Sequence, residues 1–123
     1  MVKFIKVTVL VLISALFIQS CEYEWIVPDD PEMPEVVSYS NHIQPIFDRS
    51  CNMSGCHDNG GPSPNLVADK SYNALMSGGF VNVDDPESSS LYTSVRFGSM
   101  KAYAQPGDDA YILKWIEQGA LDN

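Results

Sequence analysis

Cys51-Asn52-Met53-Ser54-Gly55-Cys56-His57 is the stretch on which the reading of this chain turns. Two cysteines followed at once by a histidine form the pattern for covalent attachment of haem c, in which both thiols add to vinyl groups and the histidine ligates the iron. The usual interval between the thiols is two residues; here it is four, so the loop must bulge between them. Asn52, Ser54 and Gly55 are residue types that permit a bulge. Three other readings compete. Cys51 and Cys56 allow a small-loop disulfide that leaves His57 incidental. They also allow zinc with His57 and His42, although the chain offers no second closely spaced ligand pair. A thiol redox site wants a shorter interval at a helix start. Haem attachment is the first of the four.

Upstream of Cys51, Ile43, Ile46 and Phe47 recur at helical spacing, with Ser38 or Ser40 able to cap and an end near Arg49 or Ser50. Pro45 falls inside, so the helix starts late or kinks there. This apolar stripe leads straight into the motif and is placed to cover one edge of a porphyrin. Downstream, Ser71 to Met76 reads as a short helix with Tyr72, Leu75 and Met76 on one face. Pro86 to Val95 reads as another, with Pro86 in its first turn and Leu91, Tyr92 and Val95 facing inward. The clearest helix opens at Asp108 and Asp109, carries Tyr111, Ile112, Trp115 and Ile116 as its stripe, and stops at Gly119. Gly- and Pro-rich loops join them, and only Phe80 to Val83 looks like strand.

The N-terminus has a separate job. Lys3 and Lys6 precede an apolar run, Val7 to Ile18, short for a membrane span and right for a signal-peptide core, so the chain is expected to be exported. Ile18-Gln19-Ser20-Cys21 resembles a bacterial lipobox, which makes Cys21 the expected lipidation site and new N-terminus; the rival is an ordinary signal peptide cleaved nearby. Residues 1–20 are thus a lipoprotein signal peptide, 21–38 an acidic, Pro-containing tether, and 39–123 the globular domain. Trp25 and Ile26 stand out in the tether, free to meet either the domain or the membrane surface.

Seven Lys and Arg against 16 Asp and Glu argue against nucleic-acid binding, which needs a basic face. Loss of Lys3 and Lys6 with the signal peptide leaves five cations against the same 16 acids, a net charge of -11. Hydrophobic residues at 45% exclude wholesale disorder. A domain this small gains considerably from a large apolar cofactor at its centre.

From about Tyr39 to Asn123 the chain resembles the small monohaem cytochrome c domains of exported bacterial lipoproteins. The resemblance is carried by Ile43-Gln44-Pro45-Ile46-Phe47, Cys51 to His57, Asp85-Pro86-Glu87-Ser88-Ser89-Ser90-Leu91-Tyr92 and Trp115-Ile116-Glu117-Gln118-Gly119-Ala120. It implies an all-α cytochrome c-like fold of three to four short helices wrapped around haem, with first and last helices crossing, a proximal histidine and a methionine across the iron. The chain departs from the family after Met100, where Lys101-Ala102-Tyr103-Ala104 precede Gln105-Pro106-Gly107 and the family often has prolines at once.

Met100 is the expected sixth ligand, because it lies in a loop between two helices, flanked by Gly98 and Ser99. Met53 is inside the attachment loop, Met33 is in the tether, Met76 reads as core filling and His42 shares the helix leading to Cys51. An open position is the remaining alternative. His57 is expected to donate its free ring N–H to a carbonyl of Gly61, Pro62 or Pro64, with Leu66, Tyr72, Leu91 and Trp115 walling the pocket. The expected cofactor is one covalent haem c held by Cys51, Cys56, His57 and Met100. The expected role is lipid-anchored single-electron transfer in the periplasm or cell envelope, with the outer membrane favoured, to a redox protein with a basic docking face. No nucleophile and base pair points to an enzyme. The alternatives are a non-redox domain closed by a Cys51–Cys56 disulfide and a haem enzyme or sensor with an open distal site.

Overall fold

A computed structural model describes Met1 and residues 33–123 of the chain. Of the two units, Met1–Pro31 and Glu32–Asn123, the second holds every element below. The expected signal peptide apart from Met1, the expected lipidation residue Cys21, and Trp25 and Ile26 lie outside the described residues.

Ser38 opens the first helical segment: its extended backbone precedes a π-type turn, Tyr39–Ile43, and its side chain accepts from the Asn41 N–H at 3.2 Å. The first amides of this segment are capped from the far end of the chain, since the Asn123 side-chain oxygen accepts from Tyr39 N–H at 2.8 Å and its main-chain oxygen from Ser40 N–H at 2.9 Å. The turn passes into helix α1, Gln44–Ser50, with Pro45 in the first turn. Proline has no N–H to give, and its ring crowds the carbonyl one turn back in a regular helix. A wider turn ahead of Pro45 relieves both, so the helix is late rather than absent.

Helix α2 spans Ser71–Ser77, α3 spans Ser90–Arg96 and α4 spans Asp108–Glu117. The expected single helix from Pro86 to Val95 is divided: Pro86–Ser88 is a 3-10 turn and α3 starts afresh at Ser90. Ser89 is the cause. Its backbone leaves helical geometry and its buried hydroxyl accepts from Asn82 N–H at 2.9 Å, a local bond that competes with the helical ladder.

The described residues are helical with no strand, an all-α arrangement. Phe80 to Val83, expected as strand, forms none: Phe80 N–H donates to Leu75 O and Phe80 O accepts from Leu91 N–H, both at 3.0 Å, so the segment joins the end of α2 to the start of α3. A β-pattern needs a neighbouring strand to bond to, and the fold supplies none here.

Ile43 and Phe47 from the first segment, Leu75 from α2, and Ile112, Trp115 and Ile116 from α4 are fully buried, each contributing about 1.5–3 kcal/mol. Tyr39 sits among the aromatics, 5.1 Å from Trp115 and 5.2 Å from Tyr72 between ring centroids. Packing also extends back before Tyr39. Val37 is buried, its N–H donates to Gln118 Oε1 at 2.9 Å, and Gln118 Nε2 donates to Glu35 O at 2.6 Å. No helix among the described residues is long and apolar enough to cross a membrane.

Candidate functional site

The Cys51–His57 stretch begins where α1 ends. Cys51 caps α1 with its N–H on Phe47 O at 2.8 Å, and its own carbonyl accepts from His57 N–H at 3.0 Å, closing the bulged loop. Inside it, Cys56 N–H donates to Met53 O at 2.8 Å and Gly55 adopts a left-handed φ of 82°. Glycine takes that conformation without the Cβ clash other residues suffer. Asp58 organises the exit: its carboxylate accepts from Gly60 N–H at 3.1 Å and Gly55 N–H at 3.2 Å. Those backbone donors, Gly60 first, hold its carboxyl below the usual range. A Cβ at Gly61 would stand 1.6 Å from the Cys56 carbonyl oxygen, so the chain can reverse here only through glycine.

The imidazole of His57 is held by its Nδ1, 3.0 Å from Pro64 O and 3.1 Å from Pro62 O. Both partners are carbonyls that only accept, so Nδ1 carries the proton and a neutral ring keeps its lone pair on Nε2. This is the carbonyl arrangement expected for the residue.

Two adjoining clefts share Cys51, His57 and Met100. One, of about 180 Å³, adds the apolar walls Phe47, Leu66, Phe80, Leu91 and Val95. The other, of about 150 Å³, adds Cys56 and Tyr103. All four residues expected to hold a cofactor in this domain, Cys51, Cys56, His57 and Met100, therefore meet around one site. Met100 is half-buried against the core.

Of the expected walls, Leu66 and Leu91 line the larger cleft, whereas Tyr72 and Trp115 do not. Those two belong to the aromatic cluster around Tyr39, where Trp115 Nε1–H is taken by Leu121 O and Tyr72 O–H by Ala120 O, both at 2.9 Å. Phe80 is a wall the sequence hides, because its neighbours mimic a strand. Met76 packs on the core and Met53 is exposed. His42 is occupied elsewhere: Nδ1 accepts from Ser38 N–H at 2.9 Å and the ring stacks on Tyr111.

Both thiols are free, Cys51 half-buried and Cys56 exposed. Burial pushes the Cys51 thiol above its usual pKa, with a smaller opposing effect from Ser50. A redox-active thiol needs the opposite shift. Among the described residues no three His, Cys, Asp or Glu side chains converge as a metal site. No family model, curated protein or solved structure matches the chain.

Proposed function

We propose that this chain is an exported, lipid-anchored monohaem c-type cytochrome that carries single electrons between redox partners and has a cytochrome c-like fold. The observation that carries the reading is the meeting of His57, Met100, Cys51 and Cys56 at one cleft, with the imidazole Nδ1 already committed to carbonyls.

The donor set suits haem c. Nε2 of His57 is left as the lone-pair nitrogen, the Met100 thioether is a neutral soft donor, and Cys51 and Cys56 are free thiols at the same cleft. Cys51 and Cys56 would hold the group through two thioethers, each formed by addition of S and H across a vinyl double bond with nothing released. Phe47, Leu66, Phe80, Leu91 and Val95 give the larger cleft apolar walls. Bound haem supplies a one-electron ferric/ferrous couple, and an apolar setting with a methionine ligand raises its potential. Anchoring at Cys21 and a position in the periplasm or cell envelope belong to the same reading.

A reduced-minus-oxidised visible spectrum, taken on protein made with haem-attachment machinery, tests it. Sharp c-type bands, with haem stain retained on a denaturing gel and lost in the Cys51→Ala/Cys56→Ala double variant, are the expected result. A colourless protein would leave the disulfide-closed interaction domain as the better account. Covalent haem that binds carbon monoxide without displacing any residue would favour the open-site enzyme or sensor.

A further inference from the structure

We propose that Gln44 is the positioning residue for His57, setting the orientation of the imidazole through the Pro62–Leu66 segment. The proposal rests on the reading of His57 as the iron ligand. That segment grips His57 at main chain and side chain together: Leu66 N–H donates to the His57 carbonyl at 2.8 Å, while Nδ1 donates to Pro64 O and Pro62 O. Residues 62–66 form neither helix nor strand, and their two prolines have no N–H with which to tie the segment down. Its position has to come from a neighbour.

The neighbour is Gln44, buried at the start of α1, whose Nε2 donates to Leu66 O at 3.1 Å. The same nitrogen donates to Asp48 Oδ1 at 2.8 Å, and Oε1 accepts from the hydroxyl of fully buried Ser71, which in turn accepts from Tyr39 O–H at 2.6 Å. Both amide protons are thus spent on oxygens that cannot donate to a flipped amide. Turning the group over would set Oε1 against the Leu66 carbonyl and the Asp48 carboxylate with no proton between them. The amide has one orientation, and it transmits the rigid placement of α1 to the carbonyls that aim the ring. Asn52 Nδ2 adds a longer bond to Leu66 O, 3.3 Å, from a more open position, and so supports Gln44 rather than replacing it.

Partners of this kind fix the ring plane and the basicity of a ligating histidine. Gln44→Glu keeps the length of the side chain and an oxygen for Ser71 but removes the donor to Leu66. Gln44→Met removes it without introducing a charge, in case the carboxylate prevents folding. In isotope-labelled holoprotein, solvent exchange of the His57 Nδ1–H followed by NMR should speed about tenfold in either variant. The hyperfine-shifted haem-methyl pattern of the oxidised protein, which follows the ring plane of the ligand, should also change. Tyr72→Phe is the control, because it deletes the side-chain bond to Ala120 O, and that side chain makes no hydrogen bond to residues 62–66. Exchange and methyl patterns in the Gln44 variants that match the unsubstituted protein, or change no more than in Tyr72→Phe, would overturn the proposal. Failure of the cytochrome reading is seen separately, as absence of covalent haem from the unsubstituted protein, and the Nδ1–H exchange still decides the role of Gln44 in that case.

Discussion

Arg49 donates through one guanidinium nitrogen to both carboxylate oxygens of Asp108, at 2.7 and 2.8 Å, tying the end of α1 to the start of α4. Asp108 is buried and also accepts from Gln105 N–H at 2.7 Å, whereas the Arg49 side chain is 38% exposed. Solvent screening of the arginine moderates the bond, so Asp108→Asn should lower unfolding stability by about 1–2 kcal/mol. Arg49→Met should cost at least as much, because it strands a buried carboxylate. Urea titration of both single variants and the double variant checks this; strictly additive losses would mean that the pair contributes no coupling.

Met100 carries the prediction for the sixth ligand. In the oxidised protein a thioether-to-iron bond gives a weak charge-transfer band in the near-red, and Met100→Ala should remove it while the haem stays covalently attached. The reduction potential should fall as well, since water or a nitrogen ligand favours the ferric state more than thioether sulfur does. A band that survives would shift the assignment to Met76.

Tyr39 sets the alkaline limit of stability. Burial pushes its phenol up to about 12, outweighing the opposing hydrogen bond to Ser71. The unfolded phenol loses its proton at the ordinary tyrosine pKa, the folded one only near 12, so across that interval the folded state binds more protons and stability falls as pH rises. The loss should be on the order of 2 kcal/mol by the upper end. Tyr39→Phe should flatten the decline, as read by denaturant midpoints across an alkaline pH series.

Charge should govern the encounter with a partner. The five cations outside residues 1–20 are Arg49, Lys70, Arg96, Lys101 and Lys114, against 16 acids. Two of them, Arg49 and Arg96, are committed to ion pairs with Asp108 and Asp109. Attraction to a basic docking face should therefore set the association rate, and electron transfer should slow as the Debye length shrinks from ~10 Å at 0.1 M salt to ~3 Å at 1 M. A rate that stays flat or rises over that series would point instead to an apolar contact through exposed Phe97 and Tyr103, which flank Met100 in the chain.

Much of this domain is legible in its residues because the signals are local. Helical spacing of Ile43, Ile46 and Phe47, the acid-led start at Asp108 and the Gly119 stop each depend on neighbours within a turn or two, and the helices lie where those residues place them. The proposal of haem attachment at Cys51 to His57 likewise starts from a local spacing of two cysteines and a histidine. What the tertiary structure alone decides is which distant groups meet. Phe80 reads as strand until the fold leaves it no partner and turns it into a wall of the cleft. Trp115 and Tyr72 have the composition of cofactor walls but are drawn to Tyr39 and to carbonyls at the end of the chain. Gln44 looks like an ordinary polar residue near a helix start, and it gains its hold on the Pro62–Leu66 segment only because Leu66 and Ser71, 22 and 27 residues away, fold onto it. Local propensity is written in adjacent residues, whereas burial and hydrogen-bond partnership belong to pairs brought together by packing, and no spacing rule along the chain encodes them.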